Sequence, residues 1–482
     1  MARQQGARSD AGAEGRSKVA GCSRRAFLHR GGVAGAAFGL AACGIPGVAS
    51  TPASGLKDVP VTLRYLTWYG GDRRPTTDAW IKAFNEEWPR VNVEVEEVTL
   101  GDFPTKFQTQ LAGGTPPDVV LADSHAQTKW FDAGAHLDLG PMLARDKINL
   151  QRDYALVGIE FWCGKVYFVP FFADSNAIFY NKTMLERAGL KDPWADGKGD
   201  WTIDDLFTLA KAVTRDLDGD GVPDQWGLSA AFGVSEAGPW TWTRGGDIAD
   251  FQKMQYTVDH PISIQGHQQL YDWLLKDRVI VPAAEQQRIV AAHPGLNIFS
   301  SGKVAFHMRA VNDVELFQRT IGNAFEWDCL LFPRIGNRLG VNLAAGSGHC
   351  VVKESKAQEQ AYQLVRTIST DRGQEIMGTM LGLPALKAKQ EVWLKARQRA
   401  GPSPAHPQVW MEVFKRPYGV HFRHHTTREV QAIYGQQMTP VRNGQAPLIP
   451  ALQEANRLMN QALKYGDCQP YKGITHPIQP GR

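Results

Sequence analysis

Two stretches early in the chain alternate apolar and polar positions. Val61, Leu63 and Tyr65 alternate with Thr62 and Arg64; Val91, Val93 and Val95 alternate with Asn92, Glu94 and Glu96. A period of two predicts two strands with one face covered. Between and after them the period becomes helical. Trp80, Ile81, Phe84 and Trp88 share a face behind Pro75 and Thr76, and Phe103, Phe107 and Leu111 recur every four residues before Gly113-Gly114. Residues 118–122 (DVVLA) form a short apolar run, the pattern of a strand covered on both faces. The order β-α-β-α-β over 61–123 predicts a parallel, doubly wound sheet with right-handed crossovers.

Farther on, residues 165–182 are apolar without helical period and have a proline in the middle. They predict two extended pieces leading into a second lobe. Met184, Leu185 and Ala188 predict a short helix ending at Gly189. Thr202, followed three residues later by Asp205, predicts a capped helix start. Residues 304–308 read as a strand and 430–463 as helices.

In doubly wound sheets a ligand sits beyond the carboxyl ends of strands. Those ends are Trp68-Tyr69-Gly70-Gly71 and Asp123-Ser124-His125. Trp68 is also a candidate for the core, and Asp123 for a helix cap.

Composition narrows the class. The chain has 482 residues, of which 43% are apolar and 21% charged, an ordinary globular balance of two to four compact units by length. The net charge of +4 is uneven: residues 1–42 hold seven Lys/Arg and two acids. Subtracting these from 53 and 49 leaves 46 basic against 47 acidic residues, so net charge does not point to nucleic acid. Within that leader, Ser23-Arg24-Arg25-Ala26-Phe27-Leu28 resembles a twin-arginine export motif. Leu40-Ala41-Ala42-Cys43-Gly44 resembles a lipobox, cut before Cys43, whose thiol takes lipid. The apolar run 31–42 is too short to span a bilayer, which takes about 20 residues. The expected location is therefore exported, at the cell surface or in the periplasm, and lipid-anchored at Cys43. Outside the cytoplasm, Cys163, Cys329, Cys350 and Cys468 allow two disulfides in three connectivities, or buried free thiols.

Several segments then carry a family resemblance. They are Pro170-Phe171 through Tyr180-Asn181-Lys182, Trp201-Thr202, and Trp240-Thr241-Trp242-Thr243-Arg244-Gly245-Gly246-Asp247. Farther along come residues 299–308, 346–352, Ala361-Tyr362 and Gly382-Leu383-Pro384-Ala385. In this order they resemble extracellular solute-binding proteins of bacterial ABC importers, in the large sugar-binding class related to maltose-binding protein. The stretch 391–425 and the second aromatic at Phe172 depart from the pattern. The resemblance implies a periplasmic-binding-protein-like α/β fold, with two doubly wound lobes joined by crossover strands around a central cleft. It implies a signal peptide over 1–42, a flexible tether over 43–57, an N-terminal lobe of 58–168 with 292–330, and a C-terminal lobe of 169–291 with 331–482.

A sugar presents C–H faces to aromatic rings and hydroxyls to carboxylates, guanidinium groups and amides. The ligand-binding candidates are Trp68, Tyr69, Asp123, Ser124, Phe172, Asp174, Trp240, Trp242, Gly246, Asp247, Arg309 and Ser347. One of Trp240 and Trp242 is also a core candidate, and Arg309 is equally a candidate for an ion pair. The implied partners are a carbohydrate or other small solute, the permease subunits of the importer, and a membrane reached through the lipid anchor. Other solutes, such as a glycerophosphodiester or a polyamine, remain alternatives, as does an exported carbohydrate-active enzyme.

Asp216, Asp218, Asp220 and Asp224, with Gly221 at the sixth position, match the start of an EF-hand loop, but Gly227 stands where the closing Glu belongs. A structural calcium and a plain Asx-rich turn are both open. No cofactor is required. His421, His424 and His425, with Arg423 and Arg428, read as a solvated basic loop. No catalytic motif is recognised, so the reading is a binding protein rather than an enzyme.

Overall fold

The computed structural model describes residues 53–123, 127–155, 160–468, 470–471 and 476–478. The expected signal peptide over 1–42, Cys43, Ser124 and His125 lie outside them. The alternating segments form strands β1 (Val61–Thr67) and β2 (Val91–Glu97), and the apolar run forms β3 (Val119–Asp123). The Arg74–Glu87 and Phe103–Ala112 helices connect them. β1 pairs in parallel with both β2 and β3, as the pattern predicts. Two short strands, β4 (Phe161–Trp162) and β5 (Lys165–Val166), make a hairpin ahead of β6 (Val169–Asn181).

β6 organises the rest. Most of its 13 residues are apolar and nearly all are buried, so the strand is covered on both faces along its length. Its first half, residues 169–175, pairs antiparallel with β12 (Asn342–Val351), which also pairs with β3. Its second half, residues 176–181, pairs with β10 (Val304–Ala310) and β11 (Trp327–Leu330). Beyond β10 lies β7 (Trp226–Ser229), in parallel. A separate hairpin joins β8 (Ala249–Asp250) to β9 (Gln255–Tyr256), and β13 (Tyr418–Gly419) extends β12. The order is thus β2-β1-β3-β12-β6-β10-β7, one sheet whose two halves share β6.

This sharing moves the expected boundaries. Residues 304–330, expected with the N-terminal lobe, sit on the second half, because β10 and β11 bond to residues 176–181. The Gln358–Ser369 and Asp371–Met380 helices, expected with the C-terminal lobe, pack on the Arg74–Glu87 helix of the first half. There Trp80 Nε1 donates to the Gly373 carbonyl at 3.0 Å. The chain returns to the first half through β12, not ahead of β10. The Thr427–Arg442 and Leu448–Ala462 helices pack on the Pro261–Leu275 helix of the second half. A short helix over Ala53–Leu56 falls within the last residues of the expected tether.

Local signals elsewhere hold. Thr202 caps the Ile203–Val213 helix, with Thr202 and Asp205 forming a reciprocal capping box. The segment around Trp240, rich in Gly, Thr and Trp, is nonetheless helical over Gly238–Trp242, with Pro239 at its start.

Candidate functional site

β1 ends at Thr67, and the residues just beyond it enter a cavity of about 300 Å³. Trp68, Tyr69 and Arg73 line it from this side, with Leu100 beyond β2. Phe172 and Asp174 enter from β6, Ala345, Gly346 and Ser347 from β12, and Asn312 from just past β10. Arg428 and Gln431 complete it from the Thr427–Arg442 helix. The cavity therefore sits at strand ends and where β6 changes partners, the place a doubly wound sheet offers a ligand.

A bulge aims the floor. Ser347 pairs with Phe172 but Gly348 pairs with Pro170, so β6 carries one extra residue there. Gly348 permits the close approach: a Cβ would stand 2.0 Å from the Phe168 ring and 2.7 Å from the Val169 carbonyl.

The aromatic wall is graded. Tyr69 is 3% exposed and Phe172 4%. Tyr69 lies parallel to Trp80 at 6.4 Å, presents an edge contact to Phe171 at 5.6 Å, and carries the Arg73 guanidinium 4.9 Å above its ring. These contacts fix it in place. Trp68 is only half-buried, set edge-on to Phe103 at 5.1 Å, and offers the larger open ring.

The polar floor is strongly perturbed. Burial pushes the Asp174 carboxyl up to about 7, Asp313 raises it further, and the Ser175 amide, Arg309 and Arg73 pull the other way. Asp174 Oδ1 and Asn312 Oδ1 are buried with no hydrogen-bond partner among the described residues. Asp174 and Asn312 both line the cavity, and these two oxygens keep acceptor capacity that the described residues leave unmet. Nearby, burial pushes Glu315 up to about 8, opposed by Arg397, whose Nη1 stands 3.1 Å from Glu315 Oε1.

These buried groups give the fold a pH optimum. Asp174 and Glu315 hold their protons to about pH 7 and 8 when folded, against 3.8 and 4.5 otherwise. Over that window the folded state binds more protons, so stability falls as pH rises. Burial keeps His136, His307, His349 and His424 neutral down to about pH 3 and His267 down to about 4, against 6.5 otherwise. Over their window the unfolded state binds more protons, so stability falls as pH drops. Below pH 6.5 these five imidazoles outweigh the two carboxyls; above it the carboxyls, joined by Asp328, which burial also raises, lower stability as pH rises. The melting temperature is expected to peak at about pH 6–7 and to decline on both sides. A calorimetric scan that climbs steadily to about pH 9 contradicts this.

Of the residues picked from the sequence, Trp68, Tyr69, Phe172, Asp174 and Ser347 meet in this cavity. Asp123 ends β3, where its backbone pairs with Ser347. Trp240 and Trp242 do not reach it. They are 1% and 2% exposed, because both rings are needed to fill the core. Trp240 meets Trp273 and Phe332 edge-on, while the Trp242 ring is wedged between Gly238 and Gly419 and donates its Nε1 to Asp247 at 2.8 Å. Gly246 and Asp247 line another, open cavity, where Asp247 pairs with His476 at 2.6 Å. Arg309 takes its other reading, an ion pair with Asp313 at 2.8 Å. Arg73, Asn312, Arg428 and Gln431 were not singled out for ligand. Asn312 lies only three residues past Arg309, so the strand-end rule comes close to it.

The basic segment is solvated only in part: His421, Arg423 and His424 are 6%, 2% and 0% exposed, while His425 is half-buried and Arg428 is exposed. His424 Nε2 bonds to the Tyr256 hydroxyl at 3.1 Å, and His425 Nε2 to Asp132 at 2.6 Å. In the acidic loop, carboxylate oxygens of Asp216, Asp218 and Asp224 lie within 4.8 Å of one another. Asp216 accepts from the Gly219 and Gly221 amides, while Asp220 is turned to the Val222 amide. Cys163 and Cys468 form a disulfide; Cys329 and Cys350 are buried free thiols. Among the described residues no helix is long and apolar enough to cross a membrane.

Residues 70–375 match the family described as bacterial extracellular solute-binding protein. This chain belongs to that family. Relatives of this solute-binding protein include a multiple sugar-binding protein of Streptococcus mutans, 31% identical over 32% of the chain and 34% of the relative. A lactose-binding protein of Rhizobium radiobacter is 21% identical over 59% of the chain and 65% of the relative. The matched stretches thus span about a third to two thirds of these curated relatives. The fold is that of a substrate-binding protein from Listeria monocytogenes in complex with cycloalternan, with a TM-score of 0.70 at 20% identity over 83% of this chain and 98% of the other. It is also that of the GacH receptor of Streptomyces glaucescens, TM-score 0.68 at 19% identity over 85% and 100%. The two-lobed, maltose-binding-protein-like architecture follows from these likenesses and from the divided sheet.

Proposed function

We propose that this protein is the substrate-binding component of an ABC importer and captures a sugar or oligosaccharide in the Trp68–Asp174 cavity. The observation that carries the reading is one open indole in a cavity also lined by Asp174 and Asn312, whose buried Oδ1 oxygens have no hydrogen-bond partner among the described residues. A ring C–H face stacks on the indole, and hydroxyls donate to the oxygens. The relatives named for sugars support the same class. Both halves of the sheet contribute lining residues, so a guest touching both favours a closed arrangement over an open one. A full switch from 1:99 to 99:1 takes about 5.5 kcal/mol of differential affinity. Capture then leads to delivery at a membrane permease, from a lipid anchor at Cys43 after twin-arginine export. The protein acts by binding and release, without turnover.

A glycerophosphodiester is the second reading, favoured by Arg73 and Arg428 at the cavity wall. The Asp174 carboxylate, which repels an anion, weighs against it. A thermal-shift screen of maltotriose, lactose, a cyclic tetrasaccharide and glycerophosphocholine separates the two. A carbohydrate is expected to raise the melting temperature; a response to glycerophosphocholine alone overturns the sugar reading. Trp68→Ala is expected to cost the responding sugar about 2 kcal/mol, roughly thirtyfold in Kd, by calorimetric titration. Unchanged affinity moves the site elsewhere.

A further inference from the structure

Cys163 and Cys468 lie 305 residues apart in sequence, with Cα atoms 5.9 Å apart across the disulfide. Cys163 sits at the tip of the β4–β5 hairpin, which belongs to the first half. Trp162 Nε1 donates to Asp132 Oδ1 at 2.7 Å, and the Leu139 amide donates to the Val166 carbonyl at 2.7 Å. Cys468 follows the final helix, on the second half. The disulfide therefore joins the two halves outside the shared strands.

The residues just before Cys468 hold the start of the Thr427–Arg442 helix. The Thr426 hydroxyl donates to the Ala462 carbonyl at 2.8 Å, and the His425 amide donates to the Lys464 carbonyl at 2.7 Å. Thr426 is the N-cap residue, yet its hydroxyl makes no cap bond to the helix. That helix start is thus held by tertiary ties rather than by a local cap. His425 reaches the same Asp132, at 2.6 Å, that accepts from Trp162. Arg428 and Gln431, three and six residues after His425, lie on one helical face and line the cavity. Arg428 Nη2 also reaches the Leu100 carbonyl of the opposite half at 3.3 Å.

We infer that the Cys163–Cys468 disulfide is a positioning element of the ligand site: it anchors the tail segment that pins the start of the Thr427–Arg442 helix and so sets Arg428 and Gln431 against the cavity. The inference rests on the reading of this cavity as the ligand site. Reduction by a phosphine breaks the S–S bond, leaves a proton on each sulfur, and transfers a water oxygen to phosphorus, which supplies the two electrons. Among the described residues Cys329 and Cys350 are already thiols, so this bond is the one changed there.

The test compares the full-length oxidised protein with C163S/C468S, and with wild type reduced by a water-soluble phosphine should the variant not fold. Hydrogen exchange is followed by mass spectrometry, and maltotriose affinity by calorimetric titration. Amides at 425–431 are expected to exchange about tenfold faster without the disulfide, while β6 is unchanged. Maltotriose binding is expected to weaken by about tenfold. Unchanged exchange at 425–431, or equal acceleration across the whole chain, overturns the inference. If exchange changes locally but the oxidised protein binds no maltotriose, the anchoring stands and the choice of that sugar fails. If maltotriose binds equally with and without the disulfide, the anchoring is not a determinant of the site and the inference falls, while the carbohydrate reading survives.

Discussion

Asp174→Asn is expected to weaken carbohydrate binding by about 10- to 100-fold at pH 8, the loss of a charge-assisted hydrogen bond of about 1.5–3 kcal/mol. The same change is expected to raise the melting temperature of the empty protein at that pH. Burial and the neighbouring Asp313 disfavour the charged carboxyl, which is fully charged only above about pH 7. Asparagine removes that cost along with the charge. At about pH 6, where Asp174 is already mostly protonated, both differences are expected to shrink. Calorimetric titration and melting at the two pH values check this. A variant that binds as tightly as wild type at both removes Asp174 from the site. The expected pairing of lower affinity with higher stability is what a binding group held ready at an energetic cost produces.

Trp240→Ala is expected to cost about 3–5 kcal/mol of folding stability, a large part of what a domain has. The ring is fully buried, meets Trp273 and Phe332 edge-on, and has no hydrogen-bond partner at Nε1 among the described residues. Its contribution is packing, and the truncation leaves a cavity that the surrounding rings cannot fill. Urea unfolding measures the loss. If stability is unchanged and sugar affinity disappears instead, the tryptophan faces a guest and the assignment of the cavity is wrong.

The contrast between Trp68 and Trp240 shows where sequence reading stops. Both lie in segments with glycines and both read as candidate sugar platforms. Trp68 stands just beyond a strand whose alternation is plain, so its place at a strand end follows from local pattern. Trp240 lies where no period is legible, and the structure turns Gly238–Trp242 into a helical turn packed into the core. Nothing local distinguishes a ring that meets Phe332 and Trp273 from one that meets a ligand, because those partners come from far along the chain. The stretch 421–424 was misread for the same reason. It is rich in His and Arg, which suggests solvent, yet His421, Arg423 and His424 are buried, His424 against Tyr256 and Arg423 against Tyr471.

The sequence by itself determined the β-α-β-α-β opening, the extended character of 165–182, the capped helix at Thr202 and the family. Each rests on short-range information: a period of two or four, a capping pair, or an ordered set of local segments. That 169–181 form one continuous strand despite Pro170 was not legible. Tertiary structure alone decided that β10 and β11 join the second half of β6, that Cys163 meets Cys468, and that Asn312, Arg428 and Gln431 close the cavity begun by Trp68 and Asp174. These are meetings between residues tens to hundreds of positions apart. They are set by which buried faces fit together, and such a fit leaves no mark in the spacing of either partner.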